Sequence, residues 1–256
     1  MDVALPEVRP SSGGFGMTHT RRDILRGIGT ITAGAAVAVA ATPARADTAA
    51  PQHRWAMVVD VRKCIGCQAC TVSCIMENRV PEDSFRTFVS TYEVKDGDKV
   101  GTYVLPRLCN HCSNPPCVEV CPVGATFQQK DGAVMVDSGR CVGCAYCVQA
   151  CPYDARFINK DTNTADKCTF CAHRVAAGLL PACVETCVGG ARVFGDLNEP
   201  GGAVRKLLDG HRAEVKVLKP EQGTSPNVYY IGLDERFAGR VDAVPTLWHP
   251  TNASHS

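Results

Sequence analysis

Aromatic side chains are scarce in this 256-residue sequence, at 6%. That scarcity argues against a large conventional hydrophobic core. An excess of charge of one sign is also missing: 27 Lys and Arg face 26 Asp and Glu. Nothing therefore draws the chain to nucleic acid. No Gly-rich dinucleotide or phosphate-binding signature occurs, and no nucleophile constellation. Beyond residue 46 no apolar run reaches the roughly 20 residues that span a bilayer. What stands in their place is 16 Cys, 23 Gly and 16 Pro. That composition suits short loops wrapped round an inorganic centre.

The cysteines fall into four groups of four. The clearest is Cys141-x2-Cys144-x2-Cys147-x3-Cys151-Pro152. This is the spacing of bacterial [4Fe-4S] motifs, in which the fourth Cys ligates the other cluster of a pair. Cys64, Cys67, Cys70 and Cys74 repeat it without the proline. Cys109, Cys112, Cys117 and Cys121-Pro122 repeat it with two extra residues between the second and third cysteines. Cys168, Cys171, Cys183 and Cys187 hold the same pairs around a longer insertion. Two other uses of cysteine compete. An exported chain could form eight disulfides, and C-x2-C pairs also bind zinc. Close thiols at a repeated spacing converge on one centre rather than on separate bridges. Three near cysteines plus a distant fourth, with prolines following, favour iron–sulfur over zinc. Four such groups supply ligands for four [4Fe-4S] clusters.

Residues 1–46 read as a twin-arginine signal peptide. Arg21-Arg22 precedes an uncharged Ala/Gly/Val/Ile stretch over 27–41, and Ala44-Arg45-Ala46 is an A-x-A cleavage site. Met17 offers an alternative start. The apolar stretch is too short to be an anchor. Clusters are inserted before export, and the twin-arginine route carries folded cargo, so the two readings agree. They place the mature chain in the periplasm.

In the mature chain, Trp55 to Asp60 reads as a strand and Cys70 to Asn78 as one or two helical turns. Arg62 and Lys63 could offset cluster charge or lie on the surface. Arg86 to Glu93 and Lys99 to Leu105 form a hairpin turning at Asp96-Gly97. A second hairpin spans Phe127 to Val136, turning at Asp131-Gly132. Tyr153 to Ile158 mirrors the segment after Cys121, which implies an internal duplication. His111 and His173 are read as hydrogen-bonding or surface residues, since sixteen cysteines already satisfy four clusters. Tyr146, Tyr153, Phe127 and Phe157 are read as packing that keeps water out. A helix is expected from Ala172 to Leu179, a short helix over Ala203 to Asp209, and strands over Glu214 to Leu218 and Val228 to Gly232.

These motifs resemble the four-cluster electron-transfer subunits of the complex iron–sulfur molybdoenzymes. The likeness covers nearly all of residues 53–232 and rests on Cys64-Ile-Gly-Cys67-Gln-Ala-Cys70, Asn110-His-Cys-Ser-Asn-Pro-Pro-Cys117, Cys141-Val-Gly-Cys144-Ala-Tyr-Cys147 and Ala165-Asp-Lys-Cys168-Thr-Phe-Cys171. All sixteen ligand positions are cysteine, which implies four [4Fe-4S] and no [3Fe-4S] centre. The family's wiring assigns Cys64, Cys67, Cys70 and Cys187 to cluster 1. Cys109, Cys112, Cys117 and Cys151 go to cluster 2. Cys121, Cys141, Cys144 and Cys147 go to cluster 3, and Cys74, Cys168, Cys171 and Cys183 to cluster 4. The implied fold is α+β, a duplicated bacterial ferredoxin-like 2[4Fe-4S] module with β-hairpin insertions. Residues 47–197 form the cluster domain, with an inner module at about 106–158 and an outer one from 53–80 plus 163–197. Residues 198–256 wrap it or meet a partner.

The resemblance also implies a non-catalytic relay. Its partners would be an integral-membrane quinone-reactive subunit of the NrfD/PsrC type and a cytochrome c or catalytic redox subunit. No molybdopterin domain is present in the sequence. The signal peptide and the tail Lys219-Pro-Glu-Gln-Gly-Thr-Ser favour the sulfur-metabolism branch. There the sulfite-reductase-associated DsrMKJOP complex is preferred, with the β subunit of tetrathionate reductase or of a similar molybdoenzyme as the alternative; the electron carrier of formate-dependent nitrite reduction shares the resemblance. A stand-alone iron–sulfur enzyme with an open iron, and a purely structural scaffold, are the rivals from other classes.

Overall fold

In Trp55–Asp60 (β1) the residues Ala56, Met57, Val58 and Val59 are all fully buried. A strand buried on both faces reads as a continuous apolar run, and it needs cover on both sides. The computed structural model, which describes residues 53–96 and 99–233, shows where that cover comes from. Residues 1–52, which include the expected signal peptide, residues 97–98 of the first hairpin's turn and residues 234–256 lie outside the described residues. β1 is the central strand of a three-stranded sheet. Arg192–Asp196 (β8) pairs with it antiparallel, from Trp55 opposite Asp196 to Val59 opposite Arg192. Val228–Ile231 (β9) pairs with it in parallel. Met57 and Val59 face the main core with Tyr230 and Phe194. Ala56 and Val58 face the other way, onto Val204 and Leu207 of the amphipathic helix Ala203–Gly210 (α6).

The expected first hairpin forms and is longer than anticipated. Thr87–Asp96 (β2) and Lys99–Leu108 (β3) pair from Thr87 opposite Leu108 to Asp96 opposite Lys99. Val89, Tyr92, Leu105 and Leu108 carry its inner face into the main core. The second hairpin is Thr126–Gln128 (β4) with Val134–Val136 (β5). Its turn is shaped as the sequence suggests: Gly132 has φ +87°, and Asp131 Oδ1 accepts from Ala133 N at 2.9 Å. A third hairpin, Arg156–Asn159 (β6) with Thr164–Lys167 (β7), completes the duplication. Short helices precede the second and third hairpins at Pro116–Glu119 (α2) and Tyr146–Gln149 (α3).

Other expectations change in extent. The helix at Ala69–Asn78 (α1) runs ten residues rather than one or two turns. The expected helix from Ala172 stops at Ala176 (α4), because Gly178 turns left-handed at φ +75°. Ala182–Glu185 (α5) follows Pro181 and packs on α1. Glu214 to Leu218 is not a strand: only Lys216 makes an isolated bridge, to Tyr230. The C-terminal part does more than wrap. Residues 224–227 hydrogen-bond along the second cysteine loop, with Asn114 N donating to Thr224 O and Asn227 N to Asn110 O. The chain then enters the central sheet as β9, so the sheet crosses the boundary expected at residue 197.

Candidate metal centres

Each cysteine group begins with a loop that must turn its first two thiols toward one point. The backbone does this in the same way four times. The residue before the second cysteine is left-handed in every group: Gly66 at φ +72°, His111 at +42°, Gly143 at +68° and Phe170 at +53°. Successive backbone N–H groups in such turns face inward and form an anion-binding concavity. Glycine adopts this conformation freely. His111 and Phe170 do so at about 1–2 kcal/mol each. These two strained residues stack on each other, with ring centroids 3.7 Å apart and planes at 17°. His111 is fully buried, and its Nδ1 accepts from Val134 N at 3.0 Å. Burial holds its imidazole well below the ordinary range, which keeps it a neutral acceptor.

The helices α1, α2, α3 and α5 then place the third cysteine of each group, Cys70, Cys117, Cys147 and Cys183. All sixteen cysteines are free thiols. Cys64, Cys67, Cys70 and Cys187 line one cavity, the set expected for cluster 1. Cys74, Cys168, Cys171 and Cys183 line another, the set expected for cluster 4. Asn78 Nδ2 reaches two members of that set, Cys74 Sγ at 3.5 Å and Cys171 Sγ at 3.7 Å. Cys112 lies within electrostatic reach of Cys109, Cys117 and Cys151. Around the remaining set, Thr126 N donates to Cys121 Sγ at 3.4 Å, and Arg156 donates to Thr126 Oγ1 within electrostatic reach of Cys147. Among the described residues no three His, Cys, Asp or Glu side chains close on the shell of a single ion. The sulfurs of sets 1 and 4 each line a cavity of their own.

Burial and neighbouring thiolates push the Cys112 and Cys168 thiols up to about 12, and those of Cys117 and Cys183 up to about 11. Without metal these thiols keep their protons at neutral pH, so loading must displace protons. Soft thiolate donors in sets of four fit [4Fe-4S] clusters.

The other sequence-singled residues divide. His173 is exposed and meets Glu77 at 2.7 Å. Arg62 turns away from the cysteines and pairs with Asp60 at 2.9 Å and Glu214 at 3.0 Å, and Lys63 is exposed. Tyr153 is buried and hydrogen-bonds Thr224, as packing requires. Tyr146 and Phe127 are exposed, so they exclude no water from a core. Sequence reasoning missed three buried cations, Arg156, Lys167 and Arg192. A signal for two of them was present: Ala155-Arg156 and Ala191-Arg192 follow Cys151 and Cys187 at the same offset.

Comparison with known proteins matches a 4Fe-4S dicluster domain twice, over residues 63–125 and 100–197. The tetrathionate reductase β subunit of Salmonella typhimurium is 56% identical over 247 residues, covering 92% of this chain and 98% of that protein. The chain belongs to the iron–sulfur electron-transfer subunits of the complex iron–sulfur molybdoenzymes. Within this family, protein NrfC of Escherichia coli is 40% identical over 220 residues, 84% of this chain and 96% of that protein. The thiosulfate reductase electron transfer protein PhsB of Salmonella typhi is 46% identical over 150 residues, 57% of this chain and 78% of that protein. Membership makes the chain a non-catalytic electron carrier with two tandem dicluster units, consistent with up to four [4Fe-4S] clusters. The likeness favours the tetrathionate-type alternative over the DsrMKJOP complex.

Proposed function

We propose that this chain is the periplasmic relay subunit of a tetrathionate reductase-type complex. It takes single electrons from an integral-membrane quinone-reactive partner of the NrfD/PsrC type. It hands them to a catalytic redox subunit or a cytochrome c. Export follows the twin-arginine signal at 1–46, and attachment to the inner membrane runs through the membrane partner. Four [4Fe-4S] clusters, held by the four cysteine sets, supply one-electron chemistry at potentials set by local charge, hydrogen bonds to sulfur and exposure.

One observation carries this reading: only Cys67 and Cys144, of sixteen cysteines, are exposed. They belong to sets 1 and 3. Neighbouring sets lie within electrostatic reach of one another through Cys70 and Cys183, through Cys168 and Cys109, and through Arg156, which reaches both Cys117 and Cys147. That order runs 1–4–2–3, so the two exposed thiols lie on its two terminal sets. Ile65 (68% exposed) and Val188 (76%) flank the first, and Val142 (65%) and Tyr146 (57%) the second. Exposed apolar residues beside a terminal ligand suit partner docking. A substrate enzyme would need one accessible site, whereas a relay needs two.

The test is co-purification of the mature protein from membranes, with iron and sulfide analysis. About sixteen irons per chain and a co-purifying membrane subunit are expected. Four or fewer irons, or turnover of tetrathionate by the isolated chain, would overturn the reading.

A further inference from the structure

Arg192, Lys167 and Arg156 are 3%, 1% and 3% exposed. Burying a cation costs several kcal/mol, about as much as removing one partner of a buried pair, unless something negative faces it. Half-buried Arg107 donates to the Tyr153 carbonyl and lies over the Phe88 ring, whereas Arg86 and Arg174 have carboxylates: Arg86 meets Asp166 at 2.8 Å, and Arg174 meets Glu77 and Glu185. The three buried cations do not. Arg192 donates to Thr87 Oγ1 at 2.8 Å and lies 4.0 Å from Met57 Sδ. Lys167 Nζ donates to the carbonyls of Val134 and Cys168. Arg156 donates to Thr126 Oγ1 at 3.2 Å, while its Nε and Nη2 make no hydrogen bond among the described residues.

Their positions supply what the partners do not. Arg192 lines the cavity of set 1, and its two contacts, Thr87 and Met57, line the cavity of set 4. Lys167 stands beside Cys168 of set 4 and within reach of Cys109 and Cys117 of set 2. Arg156 lies within electrostatic reach of Cys109 and Cys117 of set 2 and of Cys147 of set 3. Three cations thus occupy the three junctions of the order 1–4–2–3, one at each.

We propose that Arg192, Lys167 and Arg156 are junction cations, each holding one positive charge between two adjacent clusters and raising the potentials of both. The inference rests on the four-set reading above. A cluster ligated by four thiolates is anionic and gains one negative charge on reduction. A fixed cation between two of them favours the reduced form of each. It also lets the electron cross the gap, from one donor to one acceptor, without leaving the compensating charge behind. No proton need accompany that step. The side chains act through position and charge. They touch no substrate.

The test is an EPR-monitored redox titration of the full mature protein carrying Arg192→Met, Lys167→Met or Arg156→Met, with Arg192→Lys and Arg156→Lys as charge-keeping controls. Arg192→Met should lower the midpoints of clusters 1 and 4 and leave 2 and 3 in place. Lys167→Met should lower 4 and 2, and Arg156→Met 2 and 3. The Lys controls should stay near wild type. If a Met variant loses iron, loss confined to the two flanking clusters, with the Lys control loaded, also supports the assignment. For Lys167 the control is Lys167→Arg. Unchanged midpoints at full iron content, equal shifts of all four clusters, or loss of all four in variant and control alike would overturn it. Failure of the underlying reading is separate: wild-type protein would itself fall short of four clusters.

Discussion

Gly66 and Gly143 occupy the same place in two motifs, Cys64-Ile-Gly-Cys67 and Cys141-Val-Gly-Cys144, and the same left-handed conformation. Substitution by alanine should nevertheless harm one far more than the other. Both variants bear the left-handed penalty, about 1–2 kcal/mol. At Gly66 the added Cβ would sit 3.1 Å from Val104 Cγ1, a side-chain atom that can yield by a few tenths of an ångström. At Gly143 it would sit 2.4 Å from the carbonyl oxygen of Asn163. That oxygen is backbone, in the turn between β6 and β7, and Asn163 N is itself tied to Asn159 O at 2.8 Å. Relief requires the cysteine loop or the hairpin to move by about 1 Å, an overpacking cost of about 1–3 kcal/mol. Gly143→Ala should therefore lose about 2–5 kcal/mol and Gly66→Ala about 1–2. Scanning calorimetry of the loaded proteins should show the Gly143 variant melting several degrees below the Gly66 variant. Its lost iron should come first from cluster 3. Equal melting points, or the reverse order, would refute the close-approach argument.

Asn78→Ala should lower the midpoint of cluster 4 alone, because two N–H···S contacts to Cys74 and Cys171 are removed; an unchanged titration would show that those contacts carry no potential. Ile231→Ala, at a fully buried position in β9, should cost about 2–5 kcal/mol in unfolding, which a peripheral tail would not. Hydrogen bonds from Arg62 hold the Asp60 carboxyl below the ordinary carboxylate range. Its contribution is therefore fully present above the unfolded pKa and lost as pH falls through the lowered folded value. Asp60→Asn should melt below wild type at pH 7, with the gap closing below about pH 4. A gap that widens in acid would refute the pairing.

The features legible in the sequence were those written in local spacing. Asp131-Gly132 specified a hairpin turn, and Cys-x2-Cys runs specified loops that gather thiols. β9 was legible as a strand but not in its place, because its pairing with β1 joins residues about 170 positions apart. The turn before Cys112 and Cys171 was not legible either. His and Phe do not announce a left-handed backbone, and only their mutual stacking shows how it is held. Buried Lys and Arg were hidden for a different reason. Such residues are ordinarily solvated, and the repeat of Ala-Arg after Cys151 and Cys187 becomes informative only once both arginines are seen indoors.

The central sheet also bears on biogenesis. β1 lies at the start of the described chain and β9 at its end, yet they are neighbours. On the proposed ligand sets, clusters 2 and 3 have all their cysteines once Cys151 has been synthesised. Clusters 1 and 4 wait for Cys187 and Cys183. The sheet that closes over the outer pair waits for Ile231. A ribosome adding residues one by one would therefore release iron-binding capacity in two instalments. The molecule could seal only after the second. On the proposed twin-arginine route, that seal is what separates a closed fold from an open one before export.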